Sequence, residues 1–258
     1  DYGCPHRCSF CIQRCDVLGF KLRPVGEVVR DLEYIHRLGY RELWMADLTF
    51  GAVRERTVEL LKAMISRGLT LPWWCPTRVD VMDGELLALM KRSGCYLVCF
   101  GLESASDEIL RSYRKSFTTR RAAEAVRMCR TAGIQTVGTF IIGLPEDTRE
   151  TVEELIRYAA GLGLDYASFN FATHKITTPL RDSMLRDRLA DDDLPSQDQT
   201  VKGHATRALD AEEVTRLRRR AIRKFYLRPS YLLGRFRHPS SLACLLRQGY
   251  YGIRTLME

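Results

Sequence analysis

Long apolar runs are missing from this chain. The longest mostly apolar stretch, around Val137 to Leu144, falls far short of the ~18 residues that a membrane helix requires, and no signal-peptide pattern opens the sequence. Low-complexity tracts and internal repeats are also absent. With 45% hydrophobic and 28% charged residues among 258, the composition is that of a globular chain of about one to two domains. A soluble, cytoplasmic protein is expected. A disulfide framework is lacking as well. Nine cysteines is an odd number, and three of them (Cys4, Cys8, Cys11) crowd into the first eleven residues. In a reducing compartment so tight a group more often binds metal than forms bridges. Cys75, Cys95, Cys99, Cys129 and Cys244 lie among apolar neighbours and read as small core side chains.

Excess positive charge is absent from the first 200 residues. Of 40 Lys+Arg and 32 Asp+Glu, residues 201–258 hold 13 and 4, which leaves 27 against 28 for the rest. The net +8 therefore belongs to the tail. That tail admits three readings: a solvated helix face, an RNA-binding patch, or a helix docked on an acidic part of another domain. Tyr226, Tyr231, Tyr250 and Tyr251 lack the spacing of an RNA-binding module, so nucleic-acid binding is not expected.

Between Pro24 and Ala190, helix-period and strand-like segments alternate. Helices are expected over Gly26 to Leu38, Arg54 to Arg67, Asp83 to Gly94, Asp107 to Tyr113, Thr119 to Ala132, Asp147 to Tyr158 and Leu180 to Leu189. Asp147 and Glu150 fit a capping box for the sixth of these. Strands are expected at Leu43 to Ala46, Pro72 to Pro76, Tyr96 to Phe100, Thr136 to Ile142 and Tyr166 to Phe171. Trp73 and Trp74 cannot both face inward on such a strand. Five strands alternating with helices favour parallel βα units. Residues 191–211 read as a linker, and residues 212–258 as a basic, mostly helical extension with Val214, Leu217, Ala221 and Phe225 on one face.

The first eleven residues contain C-x3-C-x2-C, Cys4-Pro5-His6-Arg7-Cys8-Ser9-Phe10-Cys11. One loop can thereby deliver three thiolates to a cubane cluster, which leaves one iron open to a small-molecule ligand. A cluster used only for electron transfer normally has four cysteines, and Cys15 is available as a fourth. A zinc site completed by His6 or Cys15 is the blander alternative.

The loop resembles the signature of the radical S-adenosylmethionine (SAM) superfamily, including the aromatic Phe10 before the third cysteine. Gly101-Leu102-Glu103-Ser104 resembles the strand motif whose carboxylate holds the SAM ribose, and Phe140 to Glu146, with Ile141 and Gly143, resembles the motif lying against adenine. Asp47 stands near where that family binds the methionine amino group. Lys115 falls where relatives often carry a base facing the SAM carboxylate, although a solvated lysine is the ordinary alternative. The resemblance covers residues 1–190 and implies a partial (βα)6 TIM-like barrel whose first strand is missing, with a 4Fe-4S cluster and SAM as cofactors. It further implies a small-molecule substrate and an external flavodoxin- or ferredoxin-like electron donor. Arg23 to Val29 and Cys75 to Asp80 most resemble members with an upstream cobalamin-binding domain, which would place methyl transfer or oxidative cyclisation within reach. A fragment of a longer protein is then expected, because the chain opens three residues before Cys4. Ala172 to Pro179, with His174, departs from the Pro-Gly-rich turn of relatives. The rival readings are a noncatalytic iron-sulfur electron-transfer or scaffold protein and a tRNA-modifying enzyme resembling methylthiotransferases.

Overall fold

The computed structural model describes residues 1–13, 16, 19–191, 203–229, 231 and 232. Cys15, Cys244, Tyr250, Tyr251 and, more widely, residues 192–202 and 233–258 lie outside the described residues.

Five parallel strands make one sheet: β3 (Leu43–Trp44), β4 (Trp73–Thr77), β5 (Cys95–Glu103), β6 (Gln135–Ile142) and β7 (Tyr166–Phe171), in that spatial order. Each connection carries helix: α2 (Arg54–Ser66), α3 (Gly84–Arg92), α4 and α5 (Asp107–Ser112, Thr119–Thr131), and α6 (Arg149–Gly161). Helix α1 (Val25–Arg37) precedes β3, and α7 (Pro179–Arg186) and α8 (Ala211–Tyr226) follow β7. This is a partial TIM-like barrel, as sequential βα units require. The sequence reading did not anticipate the two-residue strands β1 (Tyr2–Gly3) and β2 (Phe20–Lys21), which pair antiparallel and close the cysteine loop at its base.

Strand alternation sorts the sheet into two faces. On β6, Thr136, Gly138, Phe140 and Ile142 are buried, whereas Val137, Thr139 and Ile141 between them are more open. In register beside them on β7 stand Tyr166, Ser168 and Asn170, also half-buried. The buried set packs on the helices in one core with Leu61, Trp73, Leu86 and Val152. Trp73 is wholly buried and donates its indole N–H to the Ser93 carbonyl at 3.0 Å. Trp74, on the other face, stacks on Trp44 at 5.3 Å. The apolar side of α8 (Val214, Leu217, Ala221, Phe225) is buried in the same core, and Tyr226 ties the helix to β7 by donating to the Ala167 carbonyl at 2.6 Å.

The expected capping box is replaced by a neighbouring one. Thr148 caps α6, its hydroxyl oxygen accepting from the Thr151 N–H while the Thr151 oxygen accepts from the Thr148 N–H. Asp147, one residue earlier, is buried and turned back to accept from the N–H groups of Gly143 and Leu144 at 2.9 and 3.0 Å. Burial pushes its carboxyl up to about 6, against the pull of those two N–H groups. A carboxyl raised in the folded state contributes stability that is complete below its unfolded pKa and lost as pH rises through the folded value. Urea unfolding of the wild type and Asp147→Asn should therefore diverge with pH. The variant is expected to gain about 2–3 kcal/mol on the wild type between pH 4 and pH 7. A pH-independent difference would show that the carboxyl is not perturbed.

Candidate active site

The cysteine loop lies across the C-terminal end of the sheet, the end at which parallel βα folds gather their functional groups. Backbone bonds pin it on two sides: the Ser9 N–H donates to the Tyr113 carbonyl, and the Leu180 N–H donates to the Ser9 carbonyl, both at 3.2 Å. Phe10 anchors the loop beneath, 6.1 Å from the Tyr113 ring and packed on a small cluster with Ile109, Leu144 and Leu180 that Ile141 also touches. Cys8 is buried, and Cys4 and Cys11 are half-buried.

Each thiol has a polar neighbour. Arg78 Nη1 lies 3.8 Å from Cys8 Sγ, the Gln13 N–H donates to Cys11 Sγ at 3.3 Å, and Thr49 Oγ1 is 3.4 Å from Cys4 Sγ. Burial pushes the Cys8 thiol above its ordinary value, while Lys115 and Arg78 pull it back. The Cys11 thiol is raised by burial too, with the Gln13 N–H opposing. Among the described residues, no group of three His, Cys, Asp or Glu side chains is gathered as single-ion ligands would be. Tetrahedral zinc with sulfur at about 2.3 Å would hold its thiolates roughly 3.8 Å apart. Between Cys4 and Cys8, His6 buries Nε2 without a hydrogen-bond partner. Burial, then Arg78, lowers this imidazole to about 4, so it is neutral near pH 7.

The structure draws Glu103 and Lys115 to the same place. Glu103 ends β5 with φ of 64°, a left-handed conformation that non-glycine residues adopt rarely and at functional sites more than elsewhere. Its Oε1 is 3.0 Å from Lys115 Nζ, which also donates to the Gly101 carbonyl at 3.1 Å. The lysine is buried, with its ammonium 5.5 Å from the Phe10 ring centre and 5.6 Å from that of Phe117. The solvated alternative for Lys115 is thus corrected: tertiary pairing, invisible in a linear sequence, has taken its charge inside.

Other expected residues are placed less tightly. Asp47, beyond β3, is half-buried. Gly143, just after β6, has φ of 90°, and a Cβ there would lie 2.9 Å from Val214 Cγ1, so α8 closes against it. His174 is buried edge-on against His204, 4.7 Å between ring centres. Sequence reasoning missed Arg78, Asp80 and Ser116 as members of the site. The one signal present was an arginine directly after a buried strand with an aspartate two residues on.

The radical SAM superfamily model matches residues 2–159, more than half of the chain, and the chain belongs to that superfamily. An uncharacterized methyltransferase of Pyrococcus horikoshii is 32% identical over 243 residues, covering 90% of this chain and 51% of the relative. An anaerobic magnesium-protoporphyrin IX monomethyl ester cyclase of Cereibacter sphaeroides is 34% identical over 194 residues, covering 72% and 31%. Among solved structures, the radical SAM methyltransferase TsrM of Kitasatospora setae, with cobalamin and a 4Fe-4S cluster bound, shares the fold. Its TM-score is 0.65 at 21% identity, over 83% of this chain and 45% of TsrM. The chain spans about half or less of the length of these relatives.

Proposed function

We propose that this chain is the core of a radical SAM enzyme in which Cys4, Cys8 and Cys11 hold a 4Fe-4S cluster and leave one iron for SAM. The observation that carries the reading is the company these thiols keep. Three soft sulfur donors share a loop with a buried, unpartnered imidazole nitrogen and face two buried cations, Arg78 and Lys115. A donor set of thiolates needs positive charge nearby to remain deprotonated, and iron prefers such ligands, so the residues present fit the group. A cluster and SAM held there would supply one-electron reductive cleavage of the sulfonium, with the electron coming from an external donor, and thereby hydrogen removal from substrate.

The protein's own work is to bind, orient and exclude water. Glu103 holds the ribose hydroxyls, Lys115 faces the SAM carboxylate, and Asp47 takes the amino group. Phe10, Ile141 and Gly143 line the adenine side. The more open face of the sheet, with Thr139 and Ser168 midway along their strands and Asn170 near the C-terminal end of β7, receives a small-molecule substrate. A flavodoxin- or ferredoxin-like donor delivers the electron in the cytoplasm. Cobalamin carried by a further domain would supply methyl transfer or oxidative cyclisation, a reading supported by the methyltransferase and cyclase relatives. No helix among the described residues is long and apolar enough to cross a membrane.

The test is anaerobic reconstitution with iron and sulfide, addition of SAM and dithionite, and chromatographic measurement of 5′-deoxyadenosine, with a longer form of the protein alongside. Product is expected only when iron, SAM and reductant are all present. A cluster that assembles in both forms without cleaving SAM would overturn the catalytic reading in favour of an electron-transfer or scaffold protein.

A further inference from the structure

We infer that Arg78 is a positioning residue for the Cys8 ligand: its guanidinium, aimed by Asp80 and Ser116, directs an N–H at the Cys8 sulfur and thereby raises the reduction potential of the cluster bound there. The inference rests on the cluster assignment proposed above. Arg78 follows β4 with only 5% of its side chain exposed. Its Nε donates to Asp80 Oδ1 at 2.9 Å, and its Nη2 donates to Asp80 Oδ2 and to Ser116 Oγ, both at 2.7 Å. The Phe117 ring lies 5.4 Å from the guanidinium carbon. The fork is thus fixed in plane and in rotation, and the one nitrogen left over, Nη1, is the one 3.8 Å from Cys8 Sγ.

An arginine serving only to neutralise Asp80 would not need this arrangement. Desolvating a guanidinium costs several kcal/mol, which a solvent-exposed pair would avoid. Burial makes sense if the cation acts on something else that is buried, and Cys8 is the buried thiol of the three. The Arg78–Asp80 pair has little net charge, but it is oriented: the cation points at the sulfur, with the carboxylate behind it. Hydrogen bonds to ligating sulfurs and the local field are among the determinants of iron-sulfur potentials, and an N–H directed at sulfur favours the reduced, more negative cluster. Lysine can supply the charge but not the bidentate fork, so direction and charge are separable.

The experiment is an EPR-monitored redox titration of reconstituted wild type, Arg78→Gln, Arg78→Lys and Asp80→Asn, with iron and sulfide content measured on the same samples. Arg78→Gln is expected to disfavour reduction about tenfold, which for one electron is roughly 59 mV. Arg78→Lys is expected to fall between it and the wild type, because it keeps a cation near the sulfur but loses the fork that aims it, whereas Asp80→Asn removes the carboxylate that offsets the cation and is expected to shift the midpoint upward. If Arg78→Gln fails to fold, the other two carry the test. Midpoints equal to the wild type in Arg78→Lys and Asp80→Asn, at full iron content, would overturn the inference while leaving the enzyme reading intact. A wild-type chain that assembles no cluster would overturn both.

Discussion

Cys8→Ala protein, reconstituted without oxygen, is expected to hold no 4Fe-4S cluster and to release no 5′-deoxyadenosine, whereas Cys15→Ala does both at the wild-type level. The contrast isolates the count of protein ligands. Four cysteines close the coordination of every iron, and such a cluster passes electrons without binding a small molecule; three leave a site for SAM. Cys8 is the harshest of the three positions to lose, because it is buried beside Arg78 while Cys4 and Cys11 are half-open. An alanine there removes a ligand and also strands a buried guanidinium Nη1 without its sulfur. Iron content, the visible absorption of the cluster and product chromatography check the three consequences separately. If Cys15→Ala lost its cluster as completely as Cys8→Ala, the open-iron reading would be wrong.

The parts of this architecture that sequence made legible are those with a short-range physical cause. Strands β4 to β7 were readable because apolar runs of strand length alternate with helices whose stops are glycines such as Gly68, Gly94, Gly133 and Gly163, all at positive φ. The cysteine spacing and the glycine–carboxylate end of β5 were equally local. The β1–β2 ribbon was not legible, since two residues per strand leave no periodicity to detect. Its pairing depends on Gly3, where a Cβ would lie 2.0 Å from the Gly19 carbonyl oxygen. The cap of α6 was misplaced by one residue because Asp147 and Thr148 are both good cap residues, and only the fold shows that Asp147 is used to hold the turn after β6. Lys115 and Arg78 failed for a more general reason. A charged residue in a linear sequence carries no mark of burial; burial is decided by partners, Glu103 and Asp80, and by neighbours such as Phe10 and Ser116 that tertiary structure brings to it.

That dependence on partners makes Glu103→Ala a damaging change outside the cysteines. The ammonium of Lys115 and the carboxylate of Glu103 have 6% and 12% side-chain exposure at 3.0 Å, so removing the carboxylate leaves a buried charge with only the Gly101 carbonyl and two aromatic rings. Breaking such a pair costs about 3–5 kcal/mol, and the loss should appear in urea unfolding of the apo chain. Alanine keeps a Cβ, so the left-handed backbone at this position is equally strained in both proteins and cancels from the difference. Glu103→Ala combined with Lys115→Met removes the stranded charge as well and should recover most of that stability. SAM affinity should behave differently. If the carboxylate holds the ribose, its removal forfeits hydrogen bonds to a charged acceptor worth about 1.5–3 kcal/mol, a loss of roughly 10- to 100-fold, and the second substitution cannot restore it. Equilibrium dialysis of SAM against reconstituted wild type, single and double variants therefore separates the two roles. Stability that recovers in the double variant, together with SAM binding weaker than that of Lys115→Met alone, assigns Glu103 to both; binding equal to that of Lys115→Met would reduce it to a structural counterion of Lys115.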